Sequence, residues 1–323
     1  MSTSTNTPTD PKLTNKTLAD KTVVITGATD GIGKETALEL ARLGATLIVV
    51  GRNPDKGKHV QVELQQYGQH QRVQFISADL STRAGVNHLV DSLHNQTDHI
   101  DVLINNAGGL YGERWITSDD IEATYAMNHL NPLLLTWQLG PLLKQAEGAR
   151  VINLTSSGHR FARVNMDNLQ GEKHYIALGN YGAAKLVNLM TMYHWGDALA
   201  AEGIAFFAAD PGGASTDMTA QMQAKFVPWF MRPLWPLMKL SFGRADPIAS
   251  RQKAARSSIY AASSTDLNGQ TGLYIASNGK VVKSSKLSYN TRLQKQLWEL
   301  SMKQLELSPD DKQGSSVPNV FAA

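Results

Sequence analysis

Residues 22–37, TVVITGATDGIGKETA, place an uncharged run rich in β-branched residues directly before a glycine-rich turn and a helix-forming segment. Such a run fits a strand buried on both faces of a parallel sheet, so the stretch reads as strand, phosphate loop, helix. Gly27 supplies a tight turn, Gly31 lets the backbone approach a pyrophosphate that a side chain would block, and Gly33 lets the helix pack close to the strand. The free amides at the start of that helix suit an anion. A strand-to-helix turn also uses glycine for packing alone, and position in the chain separates the two readings. Here the turn opens the first βα unit of an alternating chain. Its Thr-Gly-x3-Gly-x-Gly spacing differs from the Gly-x-Gly-x2-Gly of the common dinucleotide fingerprint.

Beyond it, strands are expected at 46–50, 72–77, 101–106, 150–156, 204–210 and 273–277. Helices are expected near 55–67, 82–96, 118–145, 180–202 and 247–262. Alternation of this kind requires right-handed crossovers, and the expected fold is α/β: one domain over residues 20–307, a doubly wound parallel sheet of about seven strands with helices on both faces. Residues 1–19 form a polar, Thr-rich leader expected to be disordered. At the other end, TRLQKQLWELSMKQLEL (291–307) puts Leu293, Leu297, Leu300 and Leu307 on one helical face. Ser308-Pro309 stops that helix, and residues 308–323 read as a loose tail. Residues 213–245 break the rhythm with a Met-, Trp- and Pro-rich insertion whose centre, FVPWFMRPLWPLMKL (226–240), reads as a substrate lid. Core packing and contact with a membrane surface are the other readings, and prolines at 228, 233 and 236 argue against one continuous amphipathic helix.

Composition narrows the function classes. With 323 residues, 42% hydrophobic and 18% charged, the chain can bury one large α/β core. No run of 18 apolar residues occurs, and Ser, Thr and Asn stand where a secretory apolar region would lie, so the expected location is cytoplasmic. The absence of cysteine excludes disulfides, thiol catalysis and thiolate metal sites, and there is no His-Glu-x2-His; no metal is expected. Residues 220–323 hold 14 Lys+Arg and 6 Asp+Glu, whereas residues 1–219 hold 17 and 22. The basic third fits a solvated face or attraction to an anionic membrane or ligand, which leaves peripheral membrane contact open. No basic stripe with interleaved aromatics marks a nucleic-acid partner.

In a doubly wound sheet the ligand lies beyond the carboxyl ends of the strands, and the candidate residues cluster there. About 20 residues past the glycines, where an acidic side chain would bind the ribose hydroxyls of NAD, stand Gly51 and Arg52. A guanidinium pairs with a 2′-phosphate that a carboxylate would repel, so the expected cofactor is NADP(H) in preference to NAD(H). Asp79, in SADL, is placed to accept from an adenine amino group or to cap a helix. Asn105, with Asn106, Ala107 and Gly108, ends the fourth strand, where small residues and amides admit the adenosine ribose to the backbone. Tyr181 and Lys185, in NYGAAKLVNLM, share one helical face at i and i+4. An ammonium and a positive nicotinamide ring near the phenol would lower its pKa from about 10 and make it a proton donor and acceptor. An exposed pair has the same spacing, and location after the fifth strand favours the catalytic reading. Ser156 could hold a substrate oxygen opposite the tyrosine, with Ser157 the neighbouring alternative. Asn128 is a poor helix former inside an expected helix, read as a break that holds a water for proton relay. Pro211, Gly212 and Thr216 follow the sixth strand, where an amide and a hydroxyl could fix the nicotinamide carboxamide. His129 and His159 are read as structural or surface residues.

Taken together these residues resemble the short-chain dehydrogenase/reductase superfamily over about residues 20–305. The resemblance implies a single Rossmann-fold domain and a catalytic tetrad of Asn128, Ser156, Tyr181 and Lys185. It implies cofactor contacts from Gly27, Gly31, Ile32, Gly33, Arg52, Asp79, Asn105 and Thr216, with Lys185 binding the nicotinamide ribose. TGATDGIGKETA, MNHL followed by LLLT, the 25-residue gap from Ser156 to Tyr181 and the ending LWELS look like the retinol dehydrogenase branch and its WW-domain oxidoreductase relatives. Those act on lipophilic alcohols and aldehydes. Asp210 stands where that branch usually has His before Pro-Gly, and Gly213, Ala214 and Ser215 replace bulkier residues. The expected protein is an oxidoreductase acting on a small apolar carbonyl or alcohol, with homodimerisation left open. A nucleotide-sensing, non-catalytic interaction protein on the same fold is the alternative.

Overall fold

The computed structural model describes residues 18–212, 223–227, 229–236 and 246–307. Strand β1 (Thr22–Thr26) is buried along its whole length. The chain then alternates through α1 (Gly31–Arg42), β2 (Thr46–Gly51), α2 (Pro54–Gly68), β3 (Val73–Ser77), α3 (Arg83–His94) and β4 (Val102–Asn105). After a long loop come α4 (Ala123–Tyr125), a π turn (Ala126–Leu130), α5 (Asn131–Gln138), α6 (Gly140–Lys144) and β5 (Arg150–Leu154). The second half adds α7 (Ala177–Ala201), β6 (Ala205–Ala209), α8 (Pro247–Ser263), β7 (Leu273–Ile275), β8 (Val281–Val282) and α9 (Thr291–Leu305).

The sheet order is β3-β2-β1-β4-β5-β6-β7-β8, parallel throughout except at the last pair. The eighth strand exceeds the expected count of about seven because it is a two-residue return from a turn at Gly279 (φ +76°), too short to leave a periodic signal. Alternate residues of each central strand feed opposite cores. Val24, Ile48, Val50, Leu103, Val151 and Phe206 pack under α3, α5, α7 and α9. Val23, Ile25, Leu47, Val49, Ile104, Ile152 and Phe207 pack under α1, α2 and α8. The chain crosses from one half of the sheet to the other between β1 and β4, so their carboxyl ends form the crevice that receives a ligand.

Leu18, within the stretch read as leader, is 4% exposed and gives its N–H to Leu43 O at 3.2 Å. The long helix expected over 118–145 is broken instead. Glu122 caps α4 by accepting from Thr124 N and Tyr125 N, and Pro132 and Gly140-Pro141 restart the helix downstream. Helix α9 lays its apolar face on α7 and α5, with Trp298 tilted against Trp137 and Trp195 at centroid distances of 6.3 and 5.3 Å, those two rings being 5.6 Å apart themselves.

Candidate active site

The glycine turn is held from below by Thr26 and Asn106. Thr26 Oγ1 accepts from the backbone N–H groups of Asn106 and Ala107 at 3.1 and 3.0 Å. Asn106 Nδ2 donates to Thr26 O at 2.8 Å and Gly27 O at 3.1 Å. Gly27 and Gly31 both take positive φ, +64° and +56°, as the turn requires. A Cβ on Gly33 would lie 2.3 Å from Gly27 O, so the helix can approach the strand only without a side chain there. Gly31, Ile32 and Gly33 form the first turn of α1, whose N-terminus opens on the crevice. This backbone-lined cradle fits a pyrophosphate.

Asp30, which the sequence reading did not single out, caps α1. Its Oδ1 accepts from Gly31 N at 2.6 Å, and its carboxylate pairs with Lys56 and, at 3.7 Å, with Arg251. Its place just before the Gly-Ile-Gly start was the available signal, since Asp is a preferred cap.

Around the end of β2 and β3 lie the residues expected at the adenosine. Arg52 is exposed, and its guanidinium makes no ion pair among the described residues. Asp79 does not cap α3, because Thr82 does so through Gly85 N at 3.1 Å. Asp79 Oδ1 instead accepts from Ser81 N and Oγ at 3.1 and 2.8 Å. Asn105 stands, as expected, at the end of β4. Its side chain is 4% exposed and turned into the sheet, where Nδ2 donates to Thr136 Oγ1 at 3.0 Å and Asn153 Oδ1 at 2.8 Å. The cause is its position as the last residue of β4, which aims the amide at α5 and β5, and it is Asn106 that braces the turn. The unpaired Asn105 Oδ1 belongs to a residue lining an internal cavity of about 10 Å³, close to the space of one water.

Beside the carboxyl end of β5 the four proposed catalytic residues converge. The π turn puts Asn128 out of helical register; its Nδ2 donates to Thr124 O at 2.7 Å and Gly109 O at 2.6 Å, while Gly109 N returns a bond to Oδ1 at 3.3 Å. Lys185 is 4% exposed, and its Nζ donates to Leu154 O at 2.7 Å. A Cβ on Gly108 would sit 2.8 Å from Asn128 Oδ1 and 3.4 Å from Lys185 Nζ, so the loop after β4, the π turn and α7 meet at one point. Ser156, rather than Ser157, is the serine that acts on the Tyr181 phenol, opposing the rise in its pKa. Ser156 Oγ is fixed by Gly158 N at 3.2 Å, whereas Ser157 begins a short 3-10 turn.

Burial acts on both ionisable members. It pushes Lys185 down to about 8 and Tyr181 up to about 12, the latter opposed by Ser156 and reinforced by the Asp210 carboxylate. The expected lowering of the tyrosine is therefore reversed in the protein alone. Lys185 Nζ stands 5.9 Å from the Tyr181 ring centroid, too far to outweigh the loss of solvent.

Pro211 is buried, and Gly212 takes φ +66° while giving its N–H to Asp210 Oδ1 at 2.8 Å. Thr216 lies outside the described residues, as does most of the insertion. Of the insertion's described part, Phe226 and Val227 are buried, and Phe226 packs so closely on Gly112 that a Cβ there would lie 2.4 Å from its ring. Lys225 pairs with Glu113 at 2.7 Å. His129 is structural: it is buried, with Nε2 bonded to Ser301 Oγ at 2.8 Å.

Comparison with known proteins agrees with this arrangement. The family model for short chain dehydrogenase matches residues 21–226. The chain is 35% identical over 289 residues to polyprenol dehydrogenase of Homo sapiens, covering 87% of this chain and 84% of that protein. It is 32% identical over 293 residues to human retinol dehydrogenase 11 (91% and 88%) and 33% over 298 residues to the WW domain-containing oxidoreductase of Drosophila melanogaster (90% and 69%). Among solved structures, an uncharacterised protein of Mycobacterium paratuberculosis superposes with a TM-score of 0.70 at 26% identity, over 90% of this chain and 95% of that one. The Pseudomonas aeruginosa RhlG/NADP active-site complex superposes with a TM-score of 0.60 at 26% identity, over 82% and 97%. A match running from just before β1 to Phe226, on a glycine cradle at the switch point of a parallel sheet, makes this chain a member of the short-chain dehydrogenase family of oxidoreductases, in its retinol dehydrogenase-like branch.

Proposed function

We propose that the protein is an NADP(H)-dependent oxidoreductase interconverting a lipophilic alcohol and its aldehyde or ketone, with Tyr181 as general acid and base. The observation that carries this reading is the meeting of Tyr181, Ser156, Lys185 and Asn128 at the carboxyl end of β5, beside a glycine cradle. The nicotinamide cofactor that this family binds supplies hydride in reduction and accepts it in oxidation. Tyr181 gives its proton to the carbonyl oxygen, and Ser156 Oγ, fixed by Gly158 N, holds that oxygen in place. Lys185 faces the Gly108 backbone, where a ribose hydroxyl would take its Nζ in exchange for, or beside, Leu154 O. Asn128, at the π turn, is assigned the relay water.

Preference for NADP(H) rests on Arg52, a guanidinium at the end of β2 with no carboxylate partner among the described residues. The RhlG complex with NADP is consistent with it. A lipophilic substrate is supported by the names of the relatives, which are dehydrogenases of polyprenol and retinol, and by the apolar Phe226 and Val227 beside the Gly112 loop. No helix among the described residues is long and apolar enough to cross a membrane. A cytoplasmic enzyme touching membranes only peripherally is the proposed location.

The test is consumption of NADPH and NADH by the purified protein against apolar aldehydes and ketones, including retinal and a steroid ketone, with Tyr181→Phe alongside. Turnover with NADPH that disappears in the variant supports the reading. Binding of reduced cofactor with turnover of no carbonyl refutes the oxidoreductase assignment for that panel and favours a nucleotide sensor.

A further inference from the structure

Ser156 leaves β5 at the head of a short turn that is wedged between two parts of the fold. On one side the turn lies against α7 beside Tyr181. A Cβ on Gly182 would stand 3.0 Å from Gly158 O, and one on Gly158 would stand 3.3 Å from Ser156 Oγ. On the other side the turn is held by His159. Its ring is buried, with Nδ1 2.6 Å from Ser156 O and Nε2 accepting from Ser285 N at 3.1 Å. A carbonyl only accepts and a backbone N–H only donates, so the two bonds fix one form of the ring: neutral, with its proton on Nδ1.

The segment that holds Ser285 follows β8 and is braced on the helix that carries Tyr181 and Lys185. Tyr193 of α7 stacks on Tyr289 at a centroid distance of 5.5 Å, and its hydroxyl bonds Ser284 Oγ at 3.1 Å. Arg160, next to His159, donates from Nη2 to Lys283 O at 2.8 Å. His159 therefore closes a circuit that runs from the serine turn through Ser285 to Tyr193 and back along α7 to Tyr181. We propose that His159 is a positioning residue for the reaction: it fixes the Ser156 backbone against α7, so that Ser156 Oγ and the Tyr181 hydroxyl address the same substrate oxygen. The inference rests on Ser156 and Tyr181 acting on that oxygen. It gives a part in the reaction to a side chain whose sequence context suggested only a structural or surface place.

Two changes open the circuit, one at each end. His159→Gln puts a carbon where Nδ1 stands and removes the donor to Ser156 O, while its amide oxygen can still accept from Ser285 N. Ser285→Pro removes the N–H at the other end and leaves His159 in place; Ser285 has φ −67°, which proline adopts. With NADPH and retinal, or the carbonyl of the panel that the parent reduces fastest, each change should lower kcat about 10- to 100-fold with KM and NADPH affinity unchanged, the mark of a misplaced group that acts in the transition state. In a Ser156→Ala background neither should lower kcat further, because the effect passes through the serine. Nitrogen-15 NMR of histidine-labelled protein reads the ring without turnover. The His159 resonances, assigned by their absence from His159→Gln, should show a protonated Nδ1 and a bare Nε2 at neutral pH. Parental kcat in whichever variant folds, the same loss of kcat in the Ser156→Ala background, or a proton on Nε2 overturns the inference. A loss of NADPH affinity as large as the loss in kcat does so too, because it marks general damage to the fold. Parental turnover by Ser156→Ala would instead overturn the reading of the serine on which the inference stands, and a parent that reduces no carbonyl would overturn the oxidoreductase reading itself.

Discussion

Two glycine-to-alanine changes of opposite sign test how the cofactor cradle is built. At Gly33 an added Cβ would meet Gly27 O at 2.3 Å and Asn106 Nδ2 at 2.4 Å, well inside contact distance and against backbone on one side. Relief requires α1 to withdraw from β1 or Asn106 to rotate, and rotation breaks its bonds to Thr26 O and Gly27 O. Overpacking costs about 1–3 kcal/mol. Each lost hydrogen bond adds about 1 kcal/mol. Alanine's better helix propensity returns about 1 kcal/mol, so Gly33→Ala should be destabilised by about 1–4 kcal/mol net. At Gly196, inside α7, a Cβ would meet nothing within 4 Å, and the same exchange should stabilise by about 0.5–1 kcal/mol. Urea unfolding followed by tryptophan fluorescence reads both midpoints, and NADPH binding should weaken only in Gly33→Ala. A Gly33→Ala midpoint at or above that of the parent, or a loss in Gly196→Ala as large as in Gly33→Ala, would refute the close-approach argument.

Arg52→Ala removes no ion pair within the described protein, so stability should change by no more than about 0.5 kcal/mol. NADPH affinity should fall about 10- to 100-fold, the worth of a charge-assisted bidentate contact, with NADH affinity unchanged; an equal fall for both cofactors in a calorimetric titration would count against the 2′-phosphate role. Lys185 has a folded pKa of about 8 against an ordinary 10.5. Between those values the unfolded chain holds a proton that the folded one has released, so stability rises with pH through this window by about 1–3 kcal/mol from this group, and Lys185→Met should flatten that rise in denaturation midpoints. Trp298→Ala removes one ring of the three-tryptophan cluster with Trp137 and Trp195 and should cost about 2–4 kcal/mol; a melting temperature equal to the parent's would place α9 outside the cooperative core.

The order of strands and the glycine cradle were legible because each leaves a local mark: a β-branched run, then glycine where φ is positive or two backbones touch. Asn128, Ser156, Tyr181 and Lys185 stood out as candidates because they sit at strand ends, share a helical face or break a helix. Asn128 betrayed itself as a poor helix former, and the structure puts a π turn there. What stayed hidden depends on side-chain direction at element ends. Asn105 and Asn106 are adjacent amides, yet one turns to Thr136 and Asn153 and the other to the glycine turn, because β4 ends between them. Composition does not reveal that boundary. Strand β8 was invisible for its length, and the helix expected over 118–145 kept its apolar content while Pro132 and Pro141 cut it.

The sign of the tyrosine's shift was hidden for a different reason. An ammonium four residues away predicts a lowered phenol, as it would if the two groups stood close together in water. Inside the fold both are desolvated, and desolvation acts on them in opposite directions, raising the phenol and lowering the amine. Lys185 also donates to Leu154 O, and the Asp210 carboxylate, just after β6, adds to the rise. The balance between amine and carboxylate is thus a property of β5, β6 and α7 meeting. A positive charge arriving at the nicotinamide position would tilt the same balance toward phenolate. Cofactor oxidation state and the proton on Tyr181 would then be linked: the phenol kept protonated beside reduced nicotinamide for donation, and eased toward phenolate beside oxidised nicotinamide for acceptance.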